Sequence, residues 1–353
     1  MSYNARFSCL FERFLTGEAM HLLYCILLFT TSCVLTGVLR CYALATNLID
    51  VPNHRSSHKA PTPRGGGVAF VLCFLAAVVG LNYLSLVSTT LAIAILGAGS
   101  FIALLGFLDD HGSIPAKWRL AGHFLSAVFC LYWLGMPAIP FFGWSLVPSF
   151  FANVFGVVFL VWLLNLYNFM DGIDGVAGVE ALTVCLSGAL LYYLSHQTDA
   201  LLLPLSLAFA VAGFLFWNFP PAKIFMGDAG SGFLGLVLGV LSIHAATINP
   251  AFFWSWLIFL GVFIVDATVT LLCRGLRGEV LSQAHRSHAY QYASRLYGNH
   301  LPVTLAILLI NLVWLLPMAL AVGLGFIDGF CGLVIAYLPL LILAFVFKAG
   351  RAK

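Results

Sequence analysis

Residues 91–110 read LAIAILGAGSFIALLGFLDD, eighteen positions without a charge closed by two adjacent aspartates. A helix needs about 17 to 25 apolar residues to cross the hydrocarbon core of a bilayer. The stretch therefore reads as a membrane span that delivers Asp109 and Asp110 to a surface. Outward from it, comparable runs recur from Leu22 to Phe347 with only short polar breaks. We place about eleven spans, at 21–41, 68–87, 91–108, 119–136, 150–168, 176–195, 200–217, 230–248, 251–273, 301–325 and 327–347. Unbroken apolar runs lack the alternation of barrel strands, so all are helices. The fold class is an all-α integral membrane protein, with residues 1–353 as one polytopic domain. Composition agrees: 62% of residues are hydrophobic and 8% charged, against roughly 25% charged in soluble domains.

Basic residues set the orientation. With the N-terminus outside and the C-terminus cytoplasmic, fourteen of the sixteen Lys and Arg face the cytoplasm, and only Arg6 and Arg13 lie outside. The positive-inside rule selects this topology. The net charge of +3 is then a product of topology, not a nucleic-acid footprint. The nine cysteines are scattered singly, without the paired spacing of a zinc site or a disulfide framework. The first nineteen residues are mixed and charged, unlike a signal peptide, so the first span is expected to be retained.

Charges at bilayer depth cost at least about 2.5 to 3.5 kcal/mol each, so those retained are informative. Under this topology Asp50, Asp109, Asp110, Asp171, Asp174, Asp228 and Glu279 are cytoplasmic, whereas the outer loops at 82–90, 137–149 and 246–250 carry no acid. Asp199, Asp328 and the N-terminal glutamates are the exceptions. Glu180, Asp266, His123 and His244 fall within spans and take no assigned role, Asp266 being the one close to a cytoplasmic end.

Five segments carry this polar cluster. DVPNHRSSHKAPTPRGGG (50–67) sets His58 and Arg64 among other basic residues, prolines and a glycine triplet, a composition suited to an anionic headgroup and also to an ordinary basic loop. LDDHGSIPAKWR (108–119) supplies Asp109, Asp110 and Lys117. Helical neighbours point about 100° apart, so one carboxylate can meet a metal while the other acts as a base; a solvated helix end is the plain alternative. NLYNFMDGIDGVAG (165–178) spaces Asn165, Asn168, Asp171 and Asp174 at intervals of three, along one slowly drifting helical face. Four oxygen-bearing side chains there suit Mg²⁺ or a polar nucleotide. WNFPPAKIFMGDAGSGFLG (217–235) places Asp228 ahead of small residues that open a span; free N–H groups at such a helix start suit phosphate, although the G-K-[ST] ending of a Walker A loop is missing. Phe225 is a candidate for stacking on a base. The loop 274–298 holds His285, Arg286 and His288, read as pyrophosphate-binding groups in preference to a transition-metal site or a bland basic surface.

Carboxylates, an expected site for Mg²⁺ and a basic loop on one membrane face fit phosphoryl transfer. In this order the motifs resemble the polyprenyl-phosphate N-acetylhexosamine-1-phosphate transferase family: PTPRGGG, the Asp pair with a following Lys, NxxNxxDGIDG, FMGDAGS and a last loop with histidines. The resemblance covers nearly the whole chain. It implies that Asp228 binds Mg²⁺, with Mn²⁺ as an alternative, joined by Asp171. It places Asn218 and Phe225 at a uracil and Asp109, Asp110 and Lys117 in catalysis or deprotonation of the lipid phosphate. Asp171 and Asp174 match its other essential acids, and His285 and His288 its histidine motif. Arg64, His58, Asn165, Asn168 and Arg286 complete the expected substrate contacts. Implied partners are undecaprenyl phosphate, a UDP-N-acetylhexosamine and membrane lipids, with a homodimer as an admissible assembly, at the bacterial inner membrane. HRSHAYQ (285–291) departs from the peptidoglycan and enterobacterial-antigen branches and is most similar to the branch initiating O-antigen or related surface polysaccharides. A secondary transporter and a non-catalytic scaffold are the rival classes; transporter sites lie near the midplane between repeats, and no repeat relates the two halves here.

Overall fold

A computed structural model of the chain describes residues 3–52, 60–141, 144–280 and 285–351, the side chains of 3–19 and 141–146 excepted. All eleven apolar runs are helical. Helix α1 (Tyr3–Ala45) is followed by α2 (Gly67–Tyr83) and by α3 (Thr89–Ala94), which passes through a π-helical turn at Ile95–Gly99 into α4 (Ser100–Gly112). Then come α5 (Ala116–Leu134), α6 (Phe150–Met170), α7 (Val176–Leu194), α8 (Leu202–Asn218) and α9 (Asp228–Ile248). Helices α10 (Pro250–Phe259), α11 (Gly261–Leu276) and α12 (Ala289–Tyr297) precede α13 (Leu301–Ile310), joined by a second π-helical turn to α14 (Leu316–Gly323), and α15 (Gly329–Val346). Short antiparallel ribbons pair Ile49–Asp50 with Thr62–Pro63 and Ile139–Phe141 with Trp144–Leu146.

Among the described residues eight helices, counting continuous ones together, are long and apolar enough to cross a bilayer, or nine if α10 and α11 make one span. Eleven were expected. The bend between α10 and α11 is 69°, so a single apolar run became two short helices. Helix α2 has only 17 residues, and α5 opens with Lys117, Arg119 and His123, which dilute its apolar character. The chain is a multi-pass membrane protein.

Helix α9 forms the axis of the bundle and is buried along almost its whole length. Lipid tails are as apolar as leucine, so helices in a membrane gain by close packing of small residues. A Cβ added at Gly235 would stand 2.6 Å from the Leu164 Cα on α6, and one at Gly67 the same distance from the Gly230 Cα. At Gly106 on α4 it would overlap the backbone of Asp228. Gly106→Val is therefore expected to destabilise the protein by about 1–3 kcal/mol through overpacking, read as a lower melting temperature in detergent. Gly80→Val, at a glycine with open space around it, is the control.

Helix α1 docks on α8, where Ser32 Oγ donates to the Ala210 carbonyl at 2.6 Å and Trp217 Nε1 to that of Cys33 at 2.9 Å. The C-terminal ends of α4, α6 and α8 and the N-terminal ends of α7, α9 and α13 then meet at one end of the bundle.

Candidate active site

Helix α6 stops at Met170, and residues 171–175 form a loop that returns into α7. Gly175 takes φ +75°, a backbone region open to glycine. Asp171 and Asp174 therefore do not continue the helical face of Asn165 and Asn168 that the spacing predicted. Asn165 lies a turn further back, donating to its own Val161 carbonyl at 2.7 Å and pairing with His123. It lines neither of the two cavities described below. Asn168 Oδ1 accepts from Ser231 Oγ at 3.0 Å, tying α6 to α9.

The start of α9 also departs from expectation. Asp110, 3% exposed, accepts from the backbone N–H groups of Asp228 at 3.2 Å and Ala229 at 3.5 Å. Those of Gly230 and Ser231 reach the Gly227 carbonyl at 3.1 Å. The helix end expected to receive phosphate is thus capped by a carboxylate from α4, and Gly230, Ser231 and Gly232 are buried packing residues. Arg64 approaches the same carboxylate, Nη1 to Oδ1 3.8 Å, and donates through Nη2 to the Asp110 carbonyl.

Arg119 bridges the other two acids. Its Nη1 lies 2.5 Å from Asp109 Oδ2 and 3.0 Å from Asp228 Oδ2, while Asp109 Oδ1 accepts from the Ile114 N–H at 2.5 Å. Lys117, two residues earlier, is exposed and leans over Trp118, its Nζ 5.8 Å from the ring centroid. The basic partner of the acidic pair is Arg119, because residues two apart on a helix do not face the same way. Arg119→Gln is expected to lower activity by about 10²-fold, the scale of losing one charge-stabilising donor, and Lys117→Gln by less than about threefold. Initial rates of the two variants at equal protein check this.

Asp174 is a clasp. Its Oδ2 accepts from the Ala222 N–H at 3.0 Å, and His300 Nδ1 stands 3.0 Å from Oδ1. Asn218 is a second clasp, accepting from the Gly175 N–H at 3.1 Å and donating to the Ile224 carbonyl at 3.0 Å. Its amide is thus engaged in shaping the two loops.

Asp171 differs from these. It faces a cavity of about 210 Å³ lined by Asp50, Arg64, Asp110, Asn168, Asp171 and Asp228 among others. Among the described residues no donor is hydrogen-bonded to its carboxylate. Burial, reinforced by the charges of Asp228, Asp110 and Asp174, pushes its carboxyl up to about 7. Phe225, Asp174 and His300 connect this cavity to a larger one of about 620 Å³, which also meets Arg295 and Asn299. That volume lies in the range of about 300–1,000 Å³ usual for small-molecule sites.

The two histidines lie against Phe169, and residues 285–288 line neither cavity. His285 and His288 stack with centroids 5.0 Å apart, each 6.5 Å from the Phe169 ring. Burial, His288 and Arg274 push the His285 imidazole down to about 4, so it is neutral at pH 7. His288 is 1% exposed, with Nδ1 3.3 Å from Asp266 Oδ1 and Nε2 without a partner among the described residues. Asp266 also accepts from the N–H groups of Ala289 at 2.9 Å and Tyr290 at 3.0 Å. It caps α12. Arg286 lines neither cavity; its carbonyl is held by Arg295 Nη1 at 3.0 Å.

His58 lies outside the described residues. Arg119, Asp50, Gln291 and His300 were not among the expected site residues, yet Arg119 joins the acids and the other three line the smaller cavity. Arg119, Asp50 and Gln291 stand inside the quoted motifs, where nothing in the spacing singles them out from their polar neighbours, and His300 stands just ahead of an apolar run. Asp266 carried a stronger one, an acid inside a span.

Fold and site together define a polytopic helical membrane protein with an acidic, arginine-bridged cavity where its helix ends converge. Residues 91–246 match the family described as glycosyl transferase family 4. The chain is 28% identical over 297 residues, covering 80% of each chain, to a probable undecaprenyl-phosphate N-acetylglucosaminyl 1-phosphate transferase of Bacillus subtilis. It is 31% identical over 239 residues to a phospho-N-acetylmuramoyl-pentapeptide-transferase of Streptococcus pyogenes, covering 63% of this chain and 69% of that one. The chain belongs to glycosyl transferase family 4, in the group of polyprenyl-phosphate N-acetylhexosamine-1-phosphate transferases.

Proposed function

We propose that the protein transfers an N-acetylhexosamine 1-phosphate from a UDP-sugar to undecaprenyl phosphate, releasing UMP, as the initiating step of O-antigen or related surface-polysaccharide synthesis. In this reading the site faces the cytoplasm of a bacterial inner membrane, the orientation that the distribution of Lys and Arg favours. The observation that carries the proposal is the Asp171 carboxylate, set among other acids, without a hydrogen-bond donor among the described residues and opening on the smaller cavity. Such a group is relieved by a cation.

The donor set fits a hard divalent ion. Asp171 and Asp228 would hold Mg²⁺ or Mn²⁺, with the Asn168 amide beside them, all oxygen ligands of the kind Mg²⁺ takes. Among the described residues no three acidic or His/Cys side chains already form a metal-sized ligand set, and Arg119 is paired with both Asp109 and Asp228. When bound, the ion supplies charge neutralisation at the phosphate oxygens.

The remaining work falls to the chain. The larger cavity takes the nucleotide, with the Phe225 ring at the junction placed to stack on the base. Arg64 and Arg119 orient the acceptor phosphate. A phosphate monoester has a second pKa of about 6, so it arrives largely ionised and needs no dedicated base. Its oxygen forms a bond to the β-phosphorus as the bond from that phosphorus to the UMP oxygen breaks. Asp109 and Asp110 are engaged by donors, which favours this direct displacement over an aspartyl-phosphate intermediate. The likeness to a pentapeptide transferase keeps a peptidoglycan-type donor as a second reading.

The test incubates purified protein with undecaprenyl phosphate, Mg²⁺ and radiolabelled UDP-sugars, including UDP-N-acetylglucosamine, UDP-N-acetylfucosamine, UDP-N-acetylquinovosamine and UDP-N-acetylmuramoyl-pentapeptide. Label in the organic extract with equal release of UMP, lost with EDTA, is expected from one N-acetylhexosamine. Product from the pentapeptide donor alone would establish the second reading, and no product from any donor would overturn both.

A further inference from the structure

The last residues of the described chain do not trail away from α15. The Gly350 N–H donates to the Ser287 carbonyl at 2.7 Å, and Arg277 Nη2 donates to the Gly350 carbonyl. Ser287 lies in the histidine loop, between His285 and His288. Gly350 takes φ +70° and has no room for a side chain: a Cβ there would stand 2.6 Å from the Cys273 Cβ and 2.7 Å from the Thr270 carbonyl of α11. Ala349 is buried at 2% exposure. Lys348 also has positive φ and sets its Nζ 5.1 Å from the Tyr292 ring centroid on α12. Contacts at Lys348 and Gly350 thus bind one short segment to α11, to the histidine loop and to α12.

We infer that Lys348–Gly350 is a latch that positions the histidine loop, with α15 serving to bring it back across the bundle. Residues 285–288 line neither cavity, so the latch acts on the geometry of His285 and His288 and not on the space that takes the nucleotide. In its effect on catalysis the inference rests on the transferase reading; in its effect on loop order it does not.

Gly350→Val dislodges the segment by clash. Gly325→Val is the matched control, since Gly325 has φ +81° but open space around it. A chain ending at Lys348 is the second variant. Limited trypsin digestion of the folded proteins in detergent is expected to cut after Arg286 at least about fivefold faster in both latch variants, with cleavage after Arg119 unchanged, because local opening alone exposes the loop. In the transfer assay kcat falls about tenfold or more while the KM for the UDP-sugar changes less than about threefold, a loss confined to the bound state. Unchanged cleavage after Arg286 would overturn the latch, as would equal acceleration at both sites, which marks general loosening. A wild-type chain without activity would count against the transferase reading and leave the digestion result to decide the latch.

Discussion

Asp228→Asn is expected to reduce transfer by about 10³-fold or more, while the protein still inserts, folds and purifies as the parent does. The reduction corresponds to about 4 kcal/mol of transition-state stabilisation, within the several kcal/mol that a bound metal contributes. The fold does not depend on the lost charge: the Asp228 side chain is about one third exposed, and what holds α9 in place is its backbone N–H bonded to Asp110. Asparagine keeps the shape and one oxygen for Arg119 and removes the anion. Rates over a Mg²⁺ titration check the expectation. Full activity in the variant would remove Asp228 from the proposed metal site.

Asp266→Ala acts by a different route. This carboxylate is 6% exposed and accepts from Ala289 N–H, Tyr290 N–H and Thr270 Oγ1, with His288 beside it. Removing one side of such a buried charged network costs about 3–5 kcal/mol, because the donors left behind have no water to turn to. We expect a clear fall in melting temperature and faster hydrogen exchange confined to residues 285–292. Exchange that rises over the whole molecule instead would show that Asp266 supports the bundle and not the histidine loop.

The eleven apolar runs were legible because hydropathy and length are properties of a line of residues, and lipid enforces helix on each run. The 69° break at Leu260 was not, since the residues on either side are apolar and hydropathy carries no sign of a bend. The acidic motifs were legible as a group, and Asp109, Asp110, Asp171, Asp174 and Asp228 do converge at one end of the bundle. Their individual duties were hidden. Asp110 is a cap for a helix that begins 118 residues later in the chain, and no local spacing encodes a partner so distant.

By itself the sequence determined that this is a many-helix membrane protein with most of its acids gathered at helix ends, because burial in lipid is decided residue by residue and charges are costly inside spans. Only the tertiary structure decided that Arg119 and not Lys117 joins Asp109 to Asp228, that Asn165 turns away, and that Asp171 has no donor among the described residues. Those outcomes depend on the direction of each side chain and on which distant backbone groups compete for it, and both are fixed only when the helices pack.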